Sequence, residues 1–126
     1  MNKKEIIGHP LVSVIDDDES VRESLEDLLN ELGCVAKTFS SGPEFLASGW
    51  VDQSQCLIVD ISMPGMSGPD LYQELIKRRL KIPTIFITAH ESAMRPRLLQ
   101  KGAVECLAKP FSDTALLNAL KAALRQ

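Results

Sequence analysis

The sequence predicts an α/β domain: one doubly wound parallel sheet of five strands, each followed by a helix. Two observations carry that expectation. Short apolar runs alternate five times with stretches whose apolar residues recur at helical spacing. The runs also differ in polarity. Those near residues 11, 56 and 84 are almost wholly apolar, while those near 35 and 104 include Lys37, Thr38 and Glu105. Strands covered on both faces read as unbroken apolar runs, so the mixed runs belong at the sheet edges. A strand order of 2-1-3-4-5 satisfies this and keeps every crossover right-handed.

Each element has its own signal. Leu11-Val12-Ser13-Val14-Ile15 is short and β-branched and predicts the first strand. Val21, Leu25, Leu28, Leu29 and Leu32 then share one helical face, and Gly33 ends that helix. Residues 35–39 predict the second strand. Residues 42–48 predict a short helix with Pro43 tolerated in its first turn. The third strand is expected over 56–59, and a third helix over 69–79, opened by Gly68-Pro69. The fourth strand, 84–88, is entered through Pro83. A fourth helix over 94–101 ends at Gly102, and Pro96 is expected to shorten it by removing a donor. Residues 104–108 predict the fifth strand. The last helix, 113–125, turns Leu116, Leu117, Leu120 and Leu124 inward and uses Ser112 or Asp113 as its N-cap. The arrangement is flavodoxin-like. No linker divides the chain, so residues 1–10 are read as an N-terminal extension and 11–126 as a single domain.

Composition narrows the function. Hydrophobic residues at 44% supply a core for one domain of 126 residues, and aromatics at 5% leave that core to Leu, Ile, Val and Ala. A net charge of -3 argues against direct nucleic-acid binding by this segment. No apolar stretch approaches the roughly 20 residues of a membrane span. Residues 1–10 lack the apolar stretch of a secretion signal, so a cytoplasmic location is expected. Cys34, Cys56 and Cys106 are far apart and form no paired-cysteine motif, so they read as buried small hydrophobes.

The polar residues are informative by position. Asp16 and Asp17 follow the first strand, Asp60 the third, and Lys109 the fifth, while Thr88 ends the fourth. In an open α/β sheet the carboxyl edge binds ligands where the strand order reverses, here between the first and third strands. Three carboxylates would converge there. Two such charges about 4 Å apart repel by about 4 kcal/mol at an effective dielectric near 20, so the cluster calls for a cation. Lys109 supplies one charge. A hard divalent ion such as Mg²⁺ suits the remaining oxygen ligands. A carboxylate nucleophile, a metal, an ammonium and a hydroxyl are the parts for phosphoryl transfer to a carboxylate.

Blander readings exist for each part. Asp16-Asp17-Asp18-Glu19 is also a favourable acidic helix start, and Ser20-x-x-Glu23 reads as a capping box. Asp60 and Thr88 could be turn residues. A flavin-binding module of the same architecture would need a Ser/Thr/Gly-rich loop after the first strand, and the acidic loop here would repel a cofactor phosphate. A rival enzyme reading starts from Asp16-x-Asp18, which resembles the nucleophile motif of haloacid-dehalogenase-type phosphatases. It leaves Asp60 and the Met63-Pro64-Gly65 that follows unexplained, and the chain has no acidic pair after Lys109.

Four segments together resemble the receiver domains of bacterial two-component response regulators. They are Val14-Ile15-Asp16-Asp17-Asp18, then Ile58-Val59-Asp60-Ile61-Ser62-Met63-Pro64-Gly65-Met66-Ser67-Gly68, then Phe86-Ile87-Thr88-Ala89, then Lys109-Pro110-Phe111. Phe111 and Val21-Arg22-x-Ser24-Leu25 resemble the FixJ-like subgroup, whose members usually carry a helix-turn-helix output domain after the receiver. The resemblance implies a signalling domain rather than an enzyme. Asp60 would accept a phosphoryl group from a cognate histidine kinase. Asp17, Asp60 and the Ser62 backbone carbonyl would ligate Mg²⁺, with Asp16 joining through water. Thr88 would hydrogen-bond the phosphoryl group and Lys109 would pair with it, and the Lys109-Pro110 bond would be cis. A homodimer surface would lie on the fourth helix, the fifth strand and the fifth helix. The family usually places Tyr or Phe where this chain has Cys106, so output is expected to rely on backbone and fourth-helix movement instead of a rotating ring. His9 and His90 read as solvated loop residues, the latter near the mouth of the site.

Overall fold

A computed structural model describes residues 5–90 and 93–126. Strands β1 (Leu11–Ile15), β2 (Val35–Phe39), β3 (Cys56–Asp60), β4 (Thr84–Thr88) and β5 (Glu105–Ala108) form one parallel sheet in the order β2-β1-β3-β4-β5. They alternate with α1 (Glu19–Leu32), α2 (Gly42–Ala47), α3 (Gly68–Lys77), α4 (Arg95–Gln100) and α5 (Asp113–Leu124). The flavodoxin-like order expected from strand polarity is therefore present, with β2 and β5 at the edges.

Alternation along the strands builds two apolar layers. Val12, Val14, Ile58, Ile85 and Ile87 face Leu25 and Leu29 of α1 and Leu116 and Leu120 of α5. Ile15, Leu57, Val59 and Phe86 face the other way, onto Phe45 of α2, Leu71 and Leu75 of α3, and Leu98 of α4. Each such buried side chain contributes about 1.5–3 kcal/mol. The sheet is thus held rigidly from both sides, and its carboxyl edge is a fixed platform. The segment before β1 also packs: Ile6 is buried against the α1/α5 layer and donates its N–H to the Leu32 carbonyl at 2.9 Å.

Several boundaries differ from expectation for identifiable reasons. Asp60 is the last residue of β3 and pairs in register with Ile87, so it is held by the sheet rather than by the loop beyond. Helix α1 starts earlier than the apolar pattern suggested. Its N-cap is Asp18, whose carboxylate accepts the Ser20 N–H at 2.9 Å, so the Ser20/Glu23 box is not the cap. A capping box does form on α3, between Ser67 and Asp70. Pro96 lies in the first turn of α4, where a missing N–H has no helical partner to lose. The Lys109–Pro110 bond is cis.

Candidate functional site

Two neighbouring strands, β1 and β3, deliver the three acidic residues. The backbone of Asp16 is pinned just past β1: its N–H donates to the Phe39 carbonyl at 3.1 Å, and its carbonyl accepts from the Arg22 guanidinium at 2.8 Å. Its carboxylate is fully buried, accepting the Asp18 N–H at 2.9 Å and lying 3.3 Å from the Lys109 ammonium. Asp17, next in the chain, is exposed. Asp60, at the tip of β3, is 6% exposed and accepts the Ser62 N–H at 3.3 Å. One carboxylate oxygen from each of Asp16, Asp17 and Asp60 lies within 4.8 Å of the others, so the cluster could hold a metal ion. Thr88, buried at the end of β4, offers its hydroxyl to the same edge and accepts the His90 N–H at 3.4 Å. Lys109 is tied to it through the backbone, donating its N–H to the Thr88 carbonyl at 2.7 Å.

Electrostatics follow from this crowding. Burial pushes the Asp60 carboxyl up from 3.8 to about 6, and the neighbouring Asp16 charge adds to the rise, while Lys109 and the Ser62 N–H oppose it. The ionised form of Asp60 is thus the disfavoured one, and a nearby cation would relieve it.

All the expected residues, Asp16, Asp17, Asp60, Ser62, Thr88 and Lys109, therefore lie on one edge of the sheet. Lys109 differs in one respect: in this conformation its ion pair is with Asp16. Two contributors escaped the sequence reading. Arg22 was noted only as part of a subgroup pattern, yet it holds the Asp16 carbonyl. Gly68 stands in the sequence as a helix start and as the end of the segment that follows Asp60, with no sign of its packing role. A Cβ there would collide with the Asp60 carbonyl oxygen and stand 3.0 Å from the Ile61 Cα, so α3 can pack beneath Asp60 only with glycine at this position. Cys106 is buried among the α4-side apolar residues, with its thiol pushed up by burial. Next to it, Glu105 pairs with Arg95 of α4 at 2.7 Å and accepts the Cys106 N–H at 2.9 Å through the same oxygen.

The family model of the response regulator receiver domain matches residues 12–121. Nodulation protein W of Bradyrhizobium diazoefficiens is 42% identical over 90% of this chain and 50% of its own length. The transcriptional regulatory protein FixJ of Azorhizobium caulinodans is 38% identical over 90% of this chain and 54% of its own. The chain spans about half the length of the curated relatives it matches. A solved structure of the response regulator StyR superimposes with a TM-score of 0.86 at 43% identity, covering 94% of this chain and 60% of that one. The crystal structure of FixJ-N gives a TM-score of 0.84 at 33% identity, covering 95% and 97%. The phosphatase reading built on Asp16 finds no support among these relatives, and its would-be nucleophile is fully buried against Lys109. By its family match, its relatives and its sheet order, this chain belongs to the response regulator receiver domains of two-component signalling.

Proposed function

We propose that Asp60 is the phosphoacceptor of this receiver domain and that the phosphodonor is a phosphohistidine on a cognate histidine kinase. The observation that supports this most is the placement of Asp60. It is the one of the three clustered carboxylates that belongs to a strand, at the tip of β3, where it pairs in register with Ile87, the residue before Thr88. A carboxylate oxygen of Asp60 attacks the phosphorus, the N–P bond breaks, and the imidazole leaves with the electron pair. The product is an acyl phosphate that water later hydrolyses.

The carboxylates of Asp16, Asp17 and Asp60 and the backbone carbonyl of Ser62 would hold Mg²⁺, and three acidic groups with oxygen donors alone fit a hard cation. Bound there, the ion supplies positive charge against the phosphoryl oxygens. Thr88 donates its hydroxyl to the phosphoryl group and Lys109 turns its ammonium toward it. With no ring at Cys106 to rotate, the change travels through the Thr88–Lys109 backbone bond and the Arg95–Glu105 link to α4. The readout surface, and a homodimer contact, would be α4, β5 and α5. The setting is cytoplasmic, and the domain acts as a signalling switch rather than a turnover enzyme. In longer relatives of this kind the output is transcription.

Asp60→Asn should abolish the gain in intact mass on incubation with acetyl phosphate and Mg²⁺. Undiminished labelling of that variant removes Asp60 from the role. Asp17→Asn should weaken Mg²⁺ binding in a metal titration, and an unaltered titration counts against that ligand.

A further inference from the structure

At the opposite edge of the sheet from Asp60, a groove of about 650 Å³ opens between the ends of α3, α4 and α5. Its floor is apolar, built from Ile76, Leu80, Ile82, Pro83, Val104 and Ala123. Its charged lining is of one sign: Arg79, Lys81, Lys101 and Arg125, with no acidic residue. All four side chains are exposed, and none has an ion-pair partner among the described residues. This stands out in a chain whose net charge is -3.

Helix electrostatics do not account for the cluster. Three helix C-termini meet here, each equivalent to about half a negative charge, so four full cations over-compensate them. Backbone conformation makes the same point independently. Helices α1 and α4 are followed by glycine in the left-handed region, Gly33 at φ 103° and Gly102 at φ 109°. At the ends of α3 and α5 the left-handed position is taken by Arg79 at φ 60° and Arg125 at φ 57°. Glycine adopts that conformation without penalty and arginine does not. The chain thus accepts backbone strain at two separate sites, and both arginines line this one groove.

We propose that the groove docks an acidic amphipathic segment of a partner protein, with an apolar face on the floor and carboxylates on the four cations. Charge complementarity selects that occupant. A nucleic acid would put phosphates on the cations but leave the apolar floor unused. The one aromatic ring in the lining, Tyr72, is engaged edge-on with Phe86 at 5.5 Å, and its hydroxyl donates to the Lys101 carbonyl at 3.2 Å, so it is not free for base stacking.

The test uses a fluorescent synthetic helix with leucines on one face and glutamates on the other, a scrambled version of it, and a labelled duplex DNA. Arg79→Gly combined with Arg125→Gly removes two charges and relieves both strained positions, so this variant folds at least as well as the parent and keeps its acetyl phosphate labelling. Anisotropy should show the amphipathic helix binding, with amide shifts at Ile76, Lys101 and Val104. The double variant should weaken binding about tenfold, as two modest ion pairs together would. No binding, equal binding of the scrambled peptide, indifference to the double variant, or preferential binding of the DNA would each overturn the proposal.

Discussion

Replacing Asp60 by Asn should stabilise the metal-free domain at neutral pH. The magnitude follows from the carboxyl's rise from 3.8 to about 6 on folding. At about 1.4 kcal/mol per pH unit, this rise is worth about 3 kcal/mol of repulsion and desolvation when the group is ionised. The pull of Lys109 is already contained in that rise, and partial solvent contact on the open side of the site reduces the figure to about 1–2 kcal/mol. The sign is that of a raised carboxylate. Below about pH 4 Asp60 is protonated in both folded and unfolded chains, and its stability is fully present. That stability is lost as pH rises through about 6. Asn carries no charge at any pH. The gain of Asp60→Asn over the parent should therefore be absent near pH 3, grow from about pH 4 toward pH 6, and level off above. Circular dichroism melts in EDTA should show a rise in Tm of roughly 3–10 °C at pH 8. Adding Mg²⁺ should shrink or reverse the difference, because the ion stabilises only the chain that keeps all three carboxylates. A variant less stable than the parent at pH 8 in EDTA, or a gain that persists undiminished at about pH 3, would refute the electrostatic account of this cluster.

Other perturbations test separate parts of the structure. Gly68→Ala forces a methyl against the Asp60 carbonyl and should cost about 1–3 kcal/mol in urea melts while slowing acetyl phosphate labelling. A normal labelling rate would mean that α3 can shift without moving Asp60. Burial pushes the thiols of Cys34 and Cys56 up to about 11 and about 12, so thiol titration at pH 8 should find essentially none of the three cysteines reactive until guanidinium is added. Arg95→Ala should lower stability by less than about 1 kcal/mol, since the pair is partly exposed, yet speed amide exchange in α4. Unchanged exchange would show that the pair does not tether that helix.

The fold was legible because its sheet is unusually explicit. β1, β3 and β4 are buried along their whole length, so both faces had to be apolar and the central strands announced themselves. The site was legible because its residues sit at strand ends, where sequence position alone fixes which edge they share. Side-chain partnership was not. Whether Lys109 reaches Asp16 or Asp60 depends on tertiary geometry that no local pattern encodes. The cap of α1 misled for a related reason: Asp18 and Ser20 are both good caps, and Asp16 holding the Asp18 N–H favours the earlier start. The role of Gly68 arises from α3 packing under β3, a contact made only after the chain folds back. The basic groove was invisible because residues 79, 81, 101 and 125 come from three separate parts of the chain.

The Lys109–Asp16 pair also constrains how the switch can work. Asp16 is fully buried, and Lys109 is its one ion-pair partner among the described residues. Stripping a partner from a buried charge typically costs about 3–5 kcal/mol. That is comparable to the roughly 5.5 kcal/mol needed to invert a two-state population from one per cent to ninety-nine. If phosphorylation drew Lys109 away with nothing in its place, most of the new attraction would be spent on leaving Asp16 uncompensated. Lys109 can turn toward Asp60 at low cost only when another cation already faces Asp16. The three-carboxylate cluster is where such a cation would reside. A metal held by these carboxylates would then serve the conformational response as well as the chemistry, because it would free the lysine to move.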